Sequence, residues 1–189
     1  MQISVVTPFP FESIPRIWAW IAPFKEKVSD DFGPATLSEF VTHMAASWER
    51  QKTWAIYGDG ELGGLITFER VSPWLGSAHM VLKPDLQGKG IGVKALRETF
   101  RQMFEESGIG KLSFFVLGGN LAVGSLVHNL GATREGTLRE HTLTGGKPRD
   151  VWVYGLTKTA FEGKHHVIPV QTDGEHSQDN RPAAAAADR

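Results

Sequence analysis

An α/β fold of the α+β kind, a mixed sheet flanked by helices, is what this sequence predicts, and three observations carry the prediction. An apolar run ending at Val81-Leu82 passes through Lys83–Gly92 into a segment where Leu96, Phe100, Met103 and Phe104 recur at the spacing of one buried helical face. Lys111–Leu117 and the stretch from Asn120 to Gly131 repeat that order of strand, turn and helix. Thr133–Leu143 and Arg149–Thr157 alternate around Thr144-Gly145-Gly146-Lys147-Pro148, the pattern of a terminal antiparallel hairpin. Strand–helix units and a hairpin in one chain make the sheet mixed.

The remaining elements follow in chain order. Gln2–Thr7 reads as a first strand, stopped by Pro8 and Pro10, which cannot supply ladder N–H groups. Ser13–Ala22 opens a helix with an N-cap serine and Pro15 in its first turn. Behind Thr36, a second cap, Leu37, Phe40, Val41, Met44 and Trp48 fall at helical spacing. The aromatic residues of these two helices and their connection (Trp18, Trp20, Phe24, Phe32, Phe40 and Trp48) read as core. Thr53–Tyr57 and Leu62–Val71 form strands around Gly58-Asp59-Gly60, whose Asp-Gly pair is a hairpin signal, and Ser77–Leu82 is the strand that enters the glycine-rich segment. Gly108 stops the helix that follows, and Asn120 caps the next.

Composition sets the frame. The 189 residues, 41% apolar with six Trp and eleven Phe, suffice for one enzyme-sized domain, placed at residues 1–162. From Gly163 to Arg189 the pattern fails, and polar residues with a five-Ala run at Ala183–Ala187 read as a disordered tail; His165, His166 and His176 within it read as solvated rather than metal-binding. Twenty basic against 21 acidic residues leave no charge excess to attract nucleic acid or an anionic membrane. The start, Met1–Val6, lacks a charged and apolar leader pattern, and no apolar run approaches a membrane span, so the expectation is a soluble, cytoplasmic monomer or homodimer with no metal. Zero cysteines exclude disulfides, thiolate metal sites and a cysteinyl acyl-enzyme.

Chemistry concentrates in Gln87-Gly88-Lys89-Gly90-Ile91-Gly92. A turn opening a helix presents unpaired backbone N–H groups at the positive end of the helix dipole, and glycines let phosphates come close. A Walker loop would follow Gly-Lys with Ser or Thr, and a dinucleotide loop needs Gly-x-Gly-x-x-Gly; here Lys89 precedes Gly90 and the glycines alternate.

That loop fits the Gln/Arg-x-x-Gly-x-Gly/Ala pattern of the GNAT superfamily of acetyl-CoA-dependent N-acetyltransferases, with Leu82 and Pro84 before it. A second block, Asn120, Gly131, Glu135-Gly136, Arg139, Gly146, Asp150 and Tyr154-Gly155-Leu156, resembles the branch of ribosomal-protein N-terminal acetyltransferases of the Rim type. The resemblance covers about residues 1–160. It implies a seven-stranded mixed sheet splayed between its fourth and fifth strands, with acetyl-CoA lying in the opening. Backbone groups of Met80, Val81 and Leu82 would hold the pantetheine arm. Gln87, Gly88, Lys89, Gly90, Ile91, Gly92 and Val93 would form the pyrophosphate cradle, and Asn120 would meet the distal part of the arm. The implied reaction moves acetyl from acetyl-CoA directly to an amine, either a protein N-terminus or a small molecule. The alternative is a catalytically impaired CoA-binding or interaction module.

That alternative arises from departures. The branch's serine falls on Val123, its glutamate on Thr142, its tyrosine on Val127, and the superfamily's acidic or histidine positions on the fourth strand fall on Gly76 and Ala78. Acetyl transfer needs a neutral amine, a stabilised carbonyl oxygen and a proton for the leaving thiolate. Among the remaining carboxylates Glu140 is the candidate base, because strand alternation puts it on the side of Thr142. His79 is out of phase with Ala78, as is His141 with Thr142. Glu69 reads as rim, while Ser125 and His128 turn off the relevant helical face. Lys89, Lys94 and Arg97 stand where they can support a phosphate or remain solvated.

Overall fold

The computed structural model describes residues 2–25 and 30–164. One seven-stranded sheet runs through it in the order β1-β2-β3-β4-β5-β7-β6. Its strands are β1 (Ile3–Val6), β2 (Gln51–Gly58), β3 (Glu61–Arg70), β4 (Leu75–Leu82), β5 (Lys111–Leu117), β6 (Thr133–Thr144) and β7 (Lys147–Thr157). The helices are α1 (Ile14–Ile21), α2 (Leu37–Ser47), α3 (Ile91–Glu106), α4 (Leu121–Asn129) and α5 (Lys158–Gly163).

Local chemistry explains most boundaries. Thr36 and Glu39 close α2 with a reciprocal capping box: the Glu39 N–H donates to Thr36 Oγ1 at 3.2 Å and the Thr36 N–H to Glu39 Oε2 at 3.3 Å. Asp59 (φ 49°) and Gly60 (φ 84°) form the two-residue turn between β2 and β3, the left-handed pair that matches strand twist. The final hairpin is tighter than the sequence suggests. Thr144 pairs with Lys147 and Leu143 with Pro148, leaving Gly145 and Gly146 alone in the turn. Pro148 is tolerated because β5 ends opposite Val151, so no strand on that side asks for its missing N–H. The short helix α5 has no counterpart in the sequence reading. Gly163 ends it and Lys164 donates from Nζ to the His128 carbonyl at 2.8 Å, so both belong to the ordered domain. The rest of the expected tail, with His165, His166 and His176, lies outside the described residues.

Two hydrophobic clusters sandwich the sheet. On one face α3 lays down Ile91, Ala95, Leu96, Phe100, Met103 and Phe104 against Trp54, Ile66, Leu112, Phe114 and Leu156, with Phe161 of α5 closing the end. On the other, Ile14, Ile17 and Ile21 of α1 and Phe40 and Met44 of α2 meet Ala55, Leu62 and Leu65. Central strands β2 and β3 are therefore covered on both faces and read as continuous apolar runs.

The sheet is not continuous. Strands β4 and β5 run parallel but pair only at Leu75↔Lys111, Gly76↔Leu112 and Ser77↔Ser113, and then diverge. From Ala78 to Leu82 the β5-facing edge of β4 has no strand partner. No helix among the described residues is long and apolar enough to cross a membrane.

Candidate active site

The divergence of β4 from β5 opens a cavity of about 660 Å³, within the range of small-molecule sites. One wall is Met80, Val81 and Leu82 of β4, continued by Gln87, Gly88, Gly90, Gly92 and Val93. Leu117 to Asn120, at the end of β5, and the start of α4 form a second wall. Trp20 and Ile21 at the end of α1, with Phe24 beyond it, also line the cavity, as does Arg149 of β7 beside Gly118 and Gly119 of the second wall.

The glycine loop has the construction that its sequence suggests. Gly88 (φ 73°) and Gly90 (φ 75°) are left-handed, where an L side chain is strained, and a Cβ at either would meet nothing within 4 Å. The restriction is thus on backbone shape, and the space in front is open. Gly90 is the N-cap of α3 and provides no capping side chain, so first-turn N–H groups are left unclaimed by the protein. Gln87 fastens the loop to the strand, its Nε2 donating to the Leu82 carbonyl at 3.0 Å. Gly64 of β3 has the opposite reason: its Cβ would lie 2.4 Å from the Val81 carbonyl oxygen, so only glycine lets β3 support this part of β4.

Of the other expected cradle residues, Ile91 is 2% exposed and belongs to the core, holding the loop from below. Lys89 is exposed and, like Lys94 and Arg97, does not line the cavity. Asn120 lines it and also caps α4, its Oδ1 accepting from the Val123 N–H at 3.2 Å. These features fit a phosphate-bearing ligand with an extended amide arm: an open glycine turn at a helix start adjoins a strand edge with unshared backbone groups.

The α1 side of the cavity and the β6–β7 hairpin depart from expectation. Trp20 packs on the α1–α2 cluster as expected and also lines the cavity, whereas Phe24, read as core, lines the cavity at 43% exposure and Phe32 is 77% exposed. Glu140 does not share a side with Thr142. Between Leu138↔Val151 and Thr142↔Arg149 the β6 strand bulges, and Glu140 sits in the bulge at φ 46°. Alternation is suspended there. Glu140 is exposed and outside the cavity lining, whereas Thr142 is buried and donates to Asp30 Oδ2 at 2.9 Å.

That last bond is part of a clip that the sequence gives no sign of. Asp31 accepts from the Gly145 and Gly146 N–H groups, each at 2.8 Å, and its own N–H donates to the Leu143 carbonyl at 2.9 Å. The Gly146 and Gly145 amides, with a smaller contribution from Lys25, hold the Asp31 carboxyl below its usual range. Arg149 is placed by a single side-chain bond, Nη2 donating to the Gly118 carbonyl at 2.6 Å.

Val123 lines the cavity, while Val127 is 3% exposed in the core, so neither position presents a proton-transfer group. His79 faces the α2 side. Partial desolvation lowers its pKa, with Glu69 opposing and His43 adding to the fall, although the residue keeps an exposed face that limits the effect. It does not line the cavity, nor do His141, Glu69, Ser125 or His128. Among the described residues no cluster of His, Cys, Asp and Glu has the arrangement of a metal site.

This geometry is that of an acyl-group transferase fold, and comparison with known proteins assigns the family. Residues 8–133 match the acetyltransferase (GNAT) domain, and the chain belongs to that family of acetyltransferases. Similar solved structures include a spermidine N-acetyltransferase from Vibrio cholerae in complex with CoA and spermine (15% identity, TM-score 0.74, covering 85% of this chain and 98% of that one). Others are the RimL ribosomal L7/L12 α-N-protein acetyltransferase with coenzyme A (16%, 0.74, 85% and 96%) and Mycobacterium smegmatis RimJ with CoA-disulfide (17%, 0.71, 82% of each chain).

Proposed function

We propose that this protein transfers the acetyl group of acetyl-CoA directly to an amine, a small-molecule amine or a protein α-amine. The observation that carries the reading is that the sheet opens beside an unfilled glycine cradle. Relatives of this fold were solved with CoA in hand, one acting on spermidine and another on a ribosomal-protein α-amine.

In this reading the first-turn amides of α3, with Gly88 and Gly90, hold the pyrophosphate, and the free edge of Met80–Leu82 receives the pantetheine amides. Bound acetyl-CoA supplies an activated thioester. Backbone N–H near Leu82 polarises its carbonyl, and the walls bring the amine to it in near-attack geometry. The N–C bond forms, the C–S bond breaks, the amine loses a proton and the thiolate gains one. With Val123, Val127 and Thr142 at the side-chain positions, those protons pass through water at the open mouth of the cavity. A module that binds CoA without turnover would keep the same cavity and cradle, so thiol release with an amine is what separates the two readings.

Acetyl-CoA at a hundred times its Kd stabilises the fold by about 2.7 kcal/mol, a rise in Tm of several degrees. Gly90→Asp removes the rise by putting a carboxylate into the cradle; its Cβ meets no atom within 4 Å, so the variant bears only the left-handed backbone strain, about 1–2 kcal/mol, which its own unliganded Tm reads. No shift in the wild type overturns the cofactor assignment, and no thiol release with any amine overturns the activity.

A further inference from the structure

We infer that the acceptor is an amine with a carboxylate beside it and an apolar body, as in an apolar α-amino acid, and that Arg149 is the residue that selects it. The inference rests on the acetyl-transfer reading and specifies its second substrate.

Among the described residues, Arg149 is the sole ionisable side chain in the cavity lining and no carboxylate lines it. A cavity for a polycationic amine needs acidic groups to meet the ammonium charges, and this one offers a guanidinium. That guanidinium forms no ion pair with a carboxylate among the described residues; its bond to the Gly118 carbonyl orients the fork and leaves further N–H groups to donate. Arg149 is exposed and held by that one bond, and its planar, permanently charged fork can still donate in pairs to a carboxylate. The nearby acids keep their charge but are each held by a hydrogen bond elsewhere in the protein. Asp30 accepts from the Thr142 hydroxyl, Asp31 from Gly145 and Gly146, and Asp150 from the Glu140 N–H.

Position assigns Arg149 to the acceptor rather than to the cofactor's phosphates. The cradle belongs to β4 and α3, while Arg149 stands on β7, beyond β5 in the sheet. It lines the same cavity as Trp20, Ile21 and Phe24, and it stands on the β6–β7 hairpin to which Asp30 and Asp31 are bonded. The apolar side of the acceptor packs on that aromatic surface, and the carboxylate meets the guanidinium.

The test pairs amines that differ only in the carboxylate: L-phenylalanine with phenethylamine and L-leucine with isoamylamine, together with spermidine and short peptides. Binding to the CoA-loaded protein is measured by calorimetry, and thiol release is followed in parallel. Wild type is expected to prefer each amino acid over its decarboxylated partner by roughly tenfold or more. Arg149→Met is expected to erase the preference, and Arg149→Lys to restore part of it, while the acetyl-CoA shift in Tm stays intact in both. Equal or better binding of phenethylamine, spermidine or peptides by the wild type overturns the inference. So does an Arg149→Met variant that loses the acetyl-CoA shift while keeping its acceptor preference, which would make Arg149 a cofactor contact. Absence of thiol release with every amine would sink acetyl transfer itself, while the calorimetric preference would still decide the acceptor chemistry.

Discussion

The two sides of the cavity are built by different means. The cradle side is local: β4, the glycine loop and the start of α3 are consecutive in the chain, and their shape is set by backbone angles at Gly88 and Gly90. The acceptor side is assembled from distant segments, since the Asp30 and Asp31 carboxylates reach partners 112 to 115 residues away. A short stretch of sequence can encode the first and only the folded chain creates the second. Under the proposed acetyl transfer, cofactor and acceptor recognition would then depend on separate sets of residues and should respond separately to substitution.

The strongest way to break the cradle side is from behind. Gly64→Ala pushes a Cβ to within 2.4 Å of the Val81 carbonyl oxygen, and because the obstacle is backbone it cannot swing aside. A loss of about 3 kcal/mol is expected, which for this length lowers Tm by roughly 10 °C, and acetyl-CoA affinity should fall with it as β4 shifts. Unchanged affinity in a folded Gly64→Ala protein would separate the β4 backbone from cofactor binding.

A smaller effect, confined to the other side, is expected of Asp31→Ala. Amide exchange at Gly145 and Gly146 should quicken and acceptor KM should rise, with the acetyl-CoA shift kept. The pH dependence has a definite sign. The folded carboxyl titrates lower than the unfolded one, so its contribution is complete above about pH 4 and is lost as pH falls through the folded value. The Tm gap between wild type and Asp31→Ala is thus constant from neutral pH to about pH 5 and narrows below pH 4; a gap that narrows near neutrality would assign it to another group.

Smallest of all is Glu140→Gln. The exposed bulge position leads to a rate within about twofold of wild type, against the hundredfold or greater fall that loss of a general base brings.

The same contrast explains what the sequence discloses. The strand–loop–helix around Gly88 and Gly90 is legible because a left-handed backbone and a helix start leave their mark on neighbouring residues. The terminal hairpin is legible from alternation, and its two glycines from the turn they permit. Glu140 goes astray because period-two reasoning assumes an unbroken ladder, and nothing in Arg139-Glu140-His141 announces a bulge. Trp20 and Phe24 look like any core aromatics, and an apolar cavity wall uses the same residue types as a core. Arg149 and Asp31 take their roles from partners far along the chain, and no local pattern records such partners.

The Asp31 clip also has a consequence in time. As the chain emerges from its N-terminus, every residue of the cradle is available once Val93 has been made, but the partners of Asp31 arrive only with Gly145 and Gly146. A contact closing so long a loop forms late, after the local units have condensed. The growing protein would thus shape its glycine loop before either the β5 wall or the clipped hairpin exists, and the last contacts to close would be those that complete the cavity.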